Sequence, residues 1–227
     1  MKSKRVKYFI ISSVLLSLFT LIFWEFVTYT ENYIWSDVGI DSTKAIEEAC
    51  KNIFWLKFPY WLLTINMSLL VIYLFSQKKV LIASVILLTT FISYFIFYPI
   101  IQRHSAKEYY LIFENQYVAE PYIEEPLLNA GYDVGEFVLP HIKDKDYNCR
   151  RYAIDALGKL KYYPAIKTLE EILFNENEEF YIRGDSFEAL EEIHTNETKI
   201  IIKNFQKYLE NSSDKKLKDY IKILKRV

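Results

Sequence analysis

Three histidines and two cysteines are the only side chains in this 227-residue sequence suited to zinc ligation through imidazole or thiolate, imidazole base catalysis or thiolate attack. His104, His141 and His194 stand in the contexts RHSAK, PHIKD and IHTNE. None forms H-E-x-x-H, the spacing that turns two imidazoles and a carboxylate toward one zinc ion, and none belongs to a His-Glu pair. Cys50 and Cys149 lack the spacing of a metal-ligating pair. Five glycines leave no Gly-rich loop to cradle a phosphate. Two adjacent carboxylate pairs remain, Glu124-Glu125 and Glu191-Glu192. Such pairs do acid–base work only when burial or neighbours separate their pKa values, and here they read as exposed helix faces. The sequence assigns no catalytic residue, no cofactor and no metal ligand, and an enzyme in its own right ranks last among the readings.

Chemistry of recognition is better represented. Tyr147, Arg151, Tyr152, Tyr162 and Tyr163 gather within 17 residues. Tyr and Arg are the residue types favoured at binding hot spots, so this group is the expected partner-binding surface, with some of its rings serving to roof a core.

The elements that must position these residues begin with three apolar runs. They cover about 8–27, 58–76 and 80–101, and the stretches YFIISSVLLSLFTLIFW, FPYWLLTINMSLLVIYLFS and VLIASVILLTTFISYFIFYPII hold no charged residue. A helix crossing the hydrocarbon needs roughly 20 apolar residues, and a small soluble protein has no room to bury three such helices on every face. The sequence therefore predicts a membrane anchor over 1–101, with an outer loop at 28–57. The basic leader Lys2, Lys4, Arg5, Lys7 resembles the start of a signal peptide. The run behind it is longer than a usual signal core, and EFVTYT offers no cleavage site. No charged side chain lies within the quoted stretches, which argues against transport; Thr64, Asn66 and Ser68 are expected to hydrogen-bond a neighbouring helix.

Lysine and arginine in short flanks stay cytoplasmic. The leader and the turn Gln77-Lys78-Lys79 place the N-terminus inside and, after three crossings, the C-terminal region outside; Arg103 and Lys107 pull mildly the other way. Trp24, Trp35, Trp55 and Trp61 fall near the outer ends of the first two runs, where an interfacial belt is expected. On this topology Cys50 and Cys149 face the same oxidising side, so a disulfide between them is open. Two unrelated, half-buried thiols is the reading given more weight.

Behind a linker or helical extension at 102–121, residues 122–227 read as amphipathic helices. RRYAIDALGKL (150–160) returns 33 residues later as RGDSFEALEEI (183–193). Arg150 overlies Arg183, Ile154 Phe187, Asp155 Glu188, Ala156 Ala189, Leu157 Leu190 and Leu160 Ile193. The apolar positions share one helix face, and the small alanine lets a neighbour approach. Between the copies, Pro164 opens a second helix, AIKTLEEILF; VGEFVLPHI (134–142) reads as the second helix of a preceding unit, and 199–209 and 215–225 give two more helices. Helix pairs at such a period predict a solenoid, in which stacking makes the core.

The pattern R-x-x-A-I-D-A-L-G-K-L followed by A-I-K-T-L-E-E-I-L resembles the HEAT repeat, in particular the short HEAT-like units of phycobilisome lyases and of many bacterial proteins. The resemblance covers roughly 122–226. It implies a curved stack of helix pairs used as a binding surface and names no single activity. It also implies that Arg150 and Arg183 tie one unit to an acidic residue of its neighbour, and that Ile154, Ala156, Leu157, Leu160, Phe187, Ala189, Leu190 and Ile193 are structural.

Charge divides this region. Residues 102–198 carry 10 basic and 20 acidic side chains, whereas 199–227 carry nine basic and three acidic. A negative body suits a basic protein partner and argues against nucleic acid, and a positive end suits lipid headgroups. The expected fold is all-α, three transmembrane helices followed by a short HEAT-like α-solenoid, in a multi-pass protein of a bacterial inner membrane. The expected function is a membrane-anchored protein-binding module. The alternatives are a toxin-immunity protein of the cell envelope and an accessory subunit of a membrane enzyme or transporter.

Overall fold

The computed structural model describes residues 58–115 and 122–224, together with Tyr8, Ile11, Ser12, Leu15, Leu16, Leu18 and Phe19. The described residues are helical, with no strand among them. The chain divides into two compact units, Met1–Ser105 and Ala106–Val227.

In the first unit, α1 (Phe58–Ser76) and α2 (Val80–Glu114) are joined by a tight turn. Lys78 takes a left-handed conformation (φ 58°) there, and the Lys79 amide donates to the Leu74 carbonyl at 3.0 Å. Leu70, Leu74 and Ala83 are buried together near the turn, with Met67 and Ile86 against them. At the other end of the hairpin the Tyr60 ring lies 6.0 Å from both Tyr94 and Tyr98. The outward side chains of α2 are left uncovered, with Leu81 79% exposed and Phe91, Phe95 and Ile100 near 60%.

Three expectations change here. Among the described residues one helix, α2, is long and apolar enough to cross a membrane; α1 is a shorter apolar helix, and the run at 8–27 and the loop at 28–57 fall largely outside the described residues. Helix α2 does not stop at 101, because nothing in QRHSAKEYYLIFE breaks a helix; it continues to Glu114 and takes in most of the expected linker. Thr64 and Ser68 do not reach across to a neighbour. Their hydroxyls donate to the carbonyls of Tyr60 and Thr64 four residues back, at 2.9 and 2.8 Å, the local bond always within reach of a helical Ser or Thr.

The second unit comprises the end of α2 and α3 (Glu125–Ala130), α4 (Gly135–Val138), α5 (Arg150–Lys159), α6 (Ile166–Phe174), α7 (Phe180–Ile193), α8 (Asn196–Asn211) and α9 (Lys215–Leu224). The stretch expected as one helix at 134–142 is instead α4 between two 3-10 turns, Tyr132–Val134 and Leu139–His141. Pro140 within it cannot donate to a helical ladder. Helix α7 is the hub, packing against α5, α6, α8 and α9. Its sequence explains this position. Ile182, Phe187, Ala189, Leu190 and Ile193 are apolar, and the polar Arg183, Asp185 and Ser186 are buried with partners.

Ends of elements follow local chemistry. The chain leaves α5 through Lys161 in the left-handed region (φ 51°), with the Tyr162 amide bonded to the Leu157 carbonyl and the Lys161 amide to Gly158, a Schellman closure. His194 (φ 53°) ends α7, and Thr195 at once caps α8. The Thr195 and Thr198 hydroxyls accept from each other's backbone amides at 3.1 and 2.9 Å.

Candidate functional site

The repeated segment lies on α5 and α7, which pack against each other. Ile154, Ala156, Leu157, Phe187, Ala189, Leu190 and Ile193 are buried and Leu160 is half-buried against them. The two arginines are buried at matching places. Arg150 Nε donates to the Ile142 carbonyl at 2.7 Å, and its two terminal nitrogens grip Glu178 at 2.9 and 2.7 Å. Burial of Glu178 opposes its charge, yet the guanidinium wins and holds its carboxyl below the usual range. Arg183 Nε donates to the Leu173 carbonyl at 3.0 Å, and Nη1 reaches Asp214 at 3.2 Å. Its guanidinium lies 5.9 Å from the ring centres of Phe205 and Tyr208. Asp214 also accepts the Leu217 amide at 3.0 Å, so one carboxylate caps α9 and receives Arg183. Each arginine thus joins the chain before its own helix to the segment after the next one.

The aromatic group expected to form one surface is divided: Tyr162 and Tyr163 both meet the Tyr132 ring, at 4.9 and 6.3 Å, and Tyr147, Arg151 and Tyr152 each have other neighbours. Tyr162 is buried, its ring lying where Gly135 has no side chain. Tyr147 is half-buried beside His141, with ring centres 5.4 Å apart, and Tyr152 packs on Tyr122 at 5.6 Å. Arg151 is engaged within the protein. Its Nε donates to Asp185 at 2.8 Å, Nη2 to the Tyr220 hydroxyl at 2.9 Å, and its guanidinium lies over the Tyr181 ring at 5.1 Å. Tyr220 in turn donates to Asp185 at 2.6 Å; burial and that carboxylate push its hydroxyl up to about 12. Tyr163 alone of the five is an exposed tyrosine, 6.3 Å from the exposed ring of Tyr132. A helix turns successive residues by about 100°, so closeness in sequence scattered these side chains. Cys149 is a free thiol, 2% exposed, its Sγ 3.9 Å from the Phe113 carbonyl, and burial pushes its pKa up to about 11. Cys50 lies outside the described residues.

A different cluster gathers carboxyls whose pKa values are raised. Asp155 and Lys159 on α5, Glu188 and Glu192 on α7, and Glu124 just before α3 converge on one side of the unit. Lys159 Nζ donates to Glu124 at 2.7 Å and to Asp155 at 2.6 Å. Burial works against its charge, but the two carboxylates prevail and raise its pKa. One ammonium cannot serve four carboxylates. Burial, then the hydrogen bond with Asp155, pushes Glu124 up to about 7 against the pull of Lys159. Burial, then the charge of Asp155, pushes Glu192 up to about 6, and Glu188 is raised for the same two reasons. Glu192 lies across Gly158, and its Oε2 is shielded from water and accepts no hydrogen bond from a described residue.

The chain matches no protein-family model, no curated protein and no solved structure. Among the described residues no group of three or more His, Cys, Asp or Glu side chains is arranged to hold a metal ion. The cluster sets four carboxylates around one ammonium group. Glu124 and Glu192, read from sequence as exposed, are half-buried, because neighbouring segments close over them. The signal was present in the 33-residue offset, which lays Asp155 over Glu188 and so brings an acidic position of each copy to adjacent helices.

Glu192 supplies a test of this electrostatic reading. A carboxyl whose folded pKa is raised above its ordinary 4.5 costs stability when ionised, and that cost is relieved as pH falls through about 6 toward 4.5. Glu192→Gln is expected to melt higher than the parent at pH 8, with the gap closing as pH drops through that window. A gap that is constant with pH, or negative at pH 8, would show that the carboxylate is not under strain.

Proposed function

We propose that this chain is a membrane-anchored protein-binding module, in which a HEAT-like helical unit is displayed at the membrane surface to hold a basic protein partner. The observation that carries the reading is the α5–α7 face, where Glu124, Asp155, Glu188 and Glu192 surround a single lysine. A guest lysine or arginine there would take up hydrogen bonds that Lys159 cannot supply to Glu192, and would let Glu124 and Glu192 ionise without repulsion. The rigidity needed to present such a face comes from the Arg150–Glu178 and Arg183–Asp214 links.

The membrane part of the proposal rests on α2, whose apolar surface is uncovered, and on the adjoining apolar helix α1. With the basic leader and the Lys78-Lys79 turn inside, and the run at 8–27 taken as a further crossing, the helical unit stands on the extracytoplasmic side. Cys149 is too deeply buried to report that side to a water-borne thiol reagent. A cysteine in place of exposed Lys167 or Asn204 is suited to the purpose.

The test is capture by the full chain in its native membrane, beside the double variant Glu188→Lys, Glu192→Lys. Like charges brought together at an interface cost several kcal/mol, so a genuine partner is expected to fall by about tenfold or more with the variant. It is also expected to dissociate as salt is raised. A set of captured proteins identical for the two chains would end the assignment of this face.

A further inference from the structure

The basic face of α8 is not used by the partner-binding reading. Ile201 and Phe205 turn its apolar side into the core. On the opposite side stand Lys199, Lys203 and Lys207, four residues apart and all exposed, with Ile200 beside them at 62% exposure. None of the three lysines is engaged by a carboxylate among the described residues. Between this face and the end of α7 lies an open groove of about 300 Å³. Leu190 and Ile202 give it an apolar floor, and His194, Lys199, Lys203 and Gln206 line it, with Glu191 as its one carboxylate. His194 takes a left-handed conformation (φ 53°) where α7 ends and α8 begins, and it lines the groove.

We propose that this groove and the lysine row beyond it seat the headgroup of an anionic phospholipid, so that α8 lies against the membrane surface with Ile200 entering the interface. Three features favour a lipid over another anion. The lysines form a row along about 12 Å of helix, at 1.5 Å per residue, which matches a surface of repeated charges better than a single small ion. An exposed isoleucine within a basic face is the composition of an interfacial helix, and it has no role in holding a free phosphate. The same chain carries a helix long and apolar enough to cross a bilayer, so lipid is the anion at highest local concentration. The inference uses the membrane reading of α2 and is independent of the acidic face.

The test uses the full chain with a benzophenone-bearing residue in place of Ile200, reconstituted in nanodiscs of phosphatidylcholine alone or with phosphatidylglycerol. The expected result is a photo-adduct with lipid that strengthens when phosphatidylglycerol is present. Each lysine near an anionic surface strengthens association about fivefold, so Lys199→Gln, Lys203→Gln and Lys207→Gln together are expected to remove most of the adduct. The charge-matched variant Lys161→Gln, Lys167→Gln, Lys222→Gln is expected to keep it. Equal adducts in the two bilayers, or equal losses with the two triple variants, would overturn the assignment. Displacement of the lipid by inorganic phosphate at modest concentration would give the groove to a free anion instead, and an adduct with protein would give it to a partner chain. Either of these results also overturns the lipid assignment.

Discussion

Replacing Arg150 with alanine is expected to destabilise the C-terminal unit by about 3–5 kcal/mol, the usual cost of removing one member of a buried ion pair and leaving the other charged. The side chains of Arg150 and Glu178 are 6% and 4% exposed, so water cannot take over the lost contacts. The variant also orphans the Ile142 carbonyl, which accepts from Arg150 Nε. At about 4–8 °C per kcal/mol for a domain of roughly 100 residues, the melting temperature should fall by more than about 10 °C. All four tryptophans lie at or before residue 61, so tyrosine near-ultraviolet circular dichroism of the full chain in detergent is the suitable signal. Arg150→Met combined with Glu178→Leu should recover part of the loss, because replacing both partners removes the stranded charge. The sign with pH is also set. Glu178 has a depressed folded pKa, so its contribution is present above its ordinary value of 4.5 and disappears as pH falls through the folded value. A single Arg150→Ala variant melting within about 2 °C of the parent would mean that the pair does not hold the unit together.

Gly158→Ala runs against the usual preference for alanine in a helix. Propensity alone favours alanine by about 1 kcal/mol. A Cβ at Gly158 would stand 2.6 Å from the Ala189 Cα and 2.6 Å from Glu192 Oε2. The first contact is with backbone, which cannot swing aside as a side chain does, so α5 and α7 must separate along their shared face. Overpacking of this kind costs about 1–3 kcal/mol and occasionally more, enough to offset the propensity gain. The expected outcome is net destabilisation, with faster amide hydrogen exchange across both α5 and α7. A more stable variant would show that the two helices do not approach so closely. Gly184, which faces the Tyr220 ring, should tolerate alanine better, since a ring at the edge of the unit can move.

Several features of the fold are legible in the sequence. Unbroken apolar length marked α1 and α2, and the 33-residue offset marked the pair α5 and α7 with their buried faces. These are local or periodic properties, set by the turn of a helix and the cost of exposing apolar surface. The same offset lays Arg150 over Arg183, and both are buried and ion-paired to an acidic residue farther along the chain.

What the sequence could not express was direction. Tyr147, Arg151, Tyr152, Tyr162 and Tyr163 are near neighbours along the chain, yet the helical turn of α5 and the left-handed exit at Lys161 divide them, with only Tyr162 and Tyr163 meeting the same ring, that of Tyr132. Conversely, Glu124, Lys159 and Glu192 are tens of residues apart and meet because α5 and α7 pack closely at Gly158. By itself the sequence determined that the chain is helical and which faces of its longer helices are apolar, since both follow from neighbours within a few turns. Only the tertiary structure decided which charges share a low-dielectric space, because desolvation and Coulomb energies depend on distances that sequence separation does not encode.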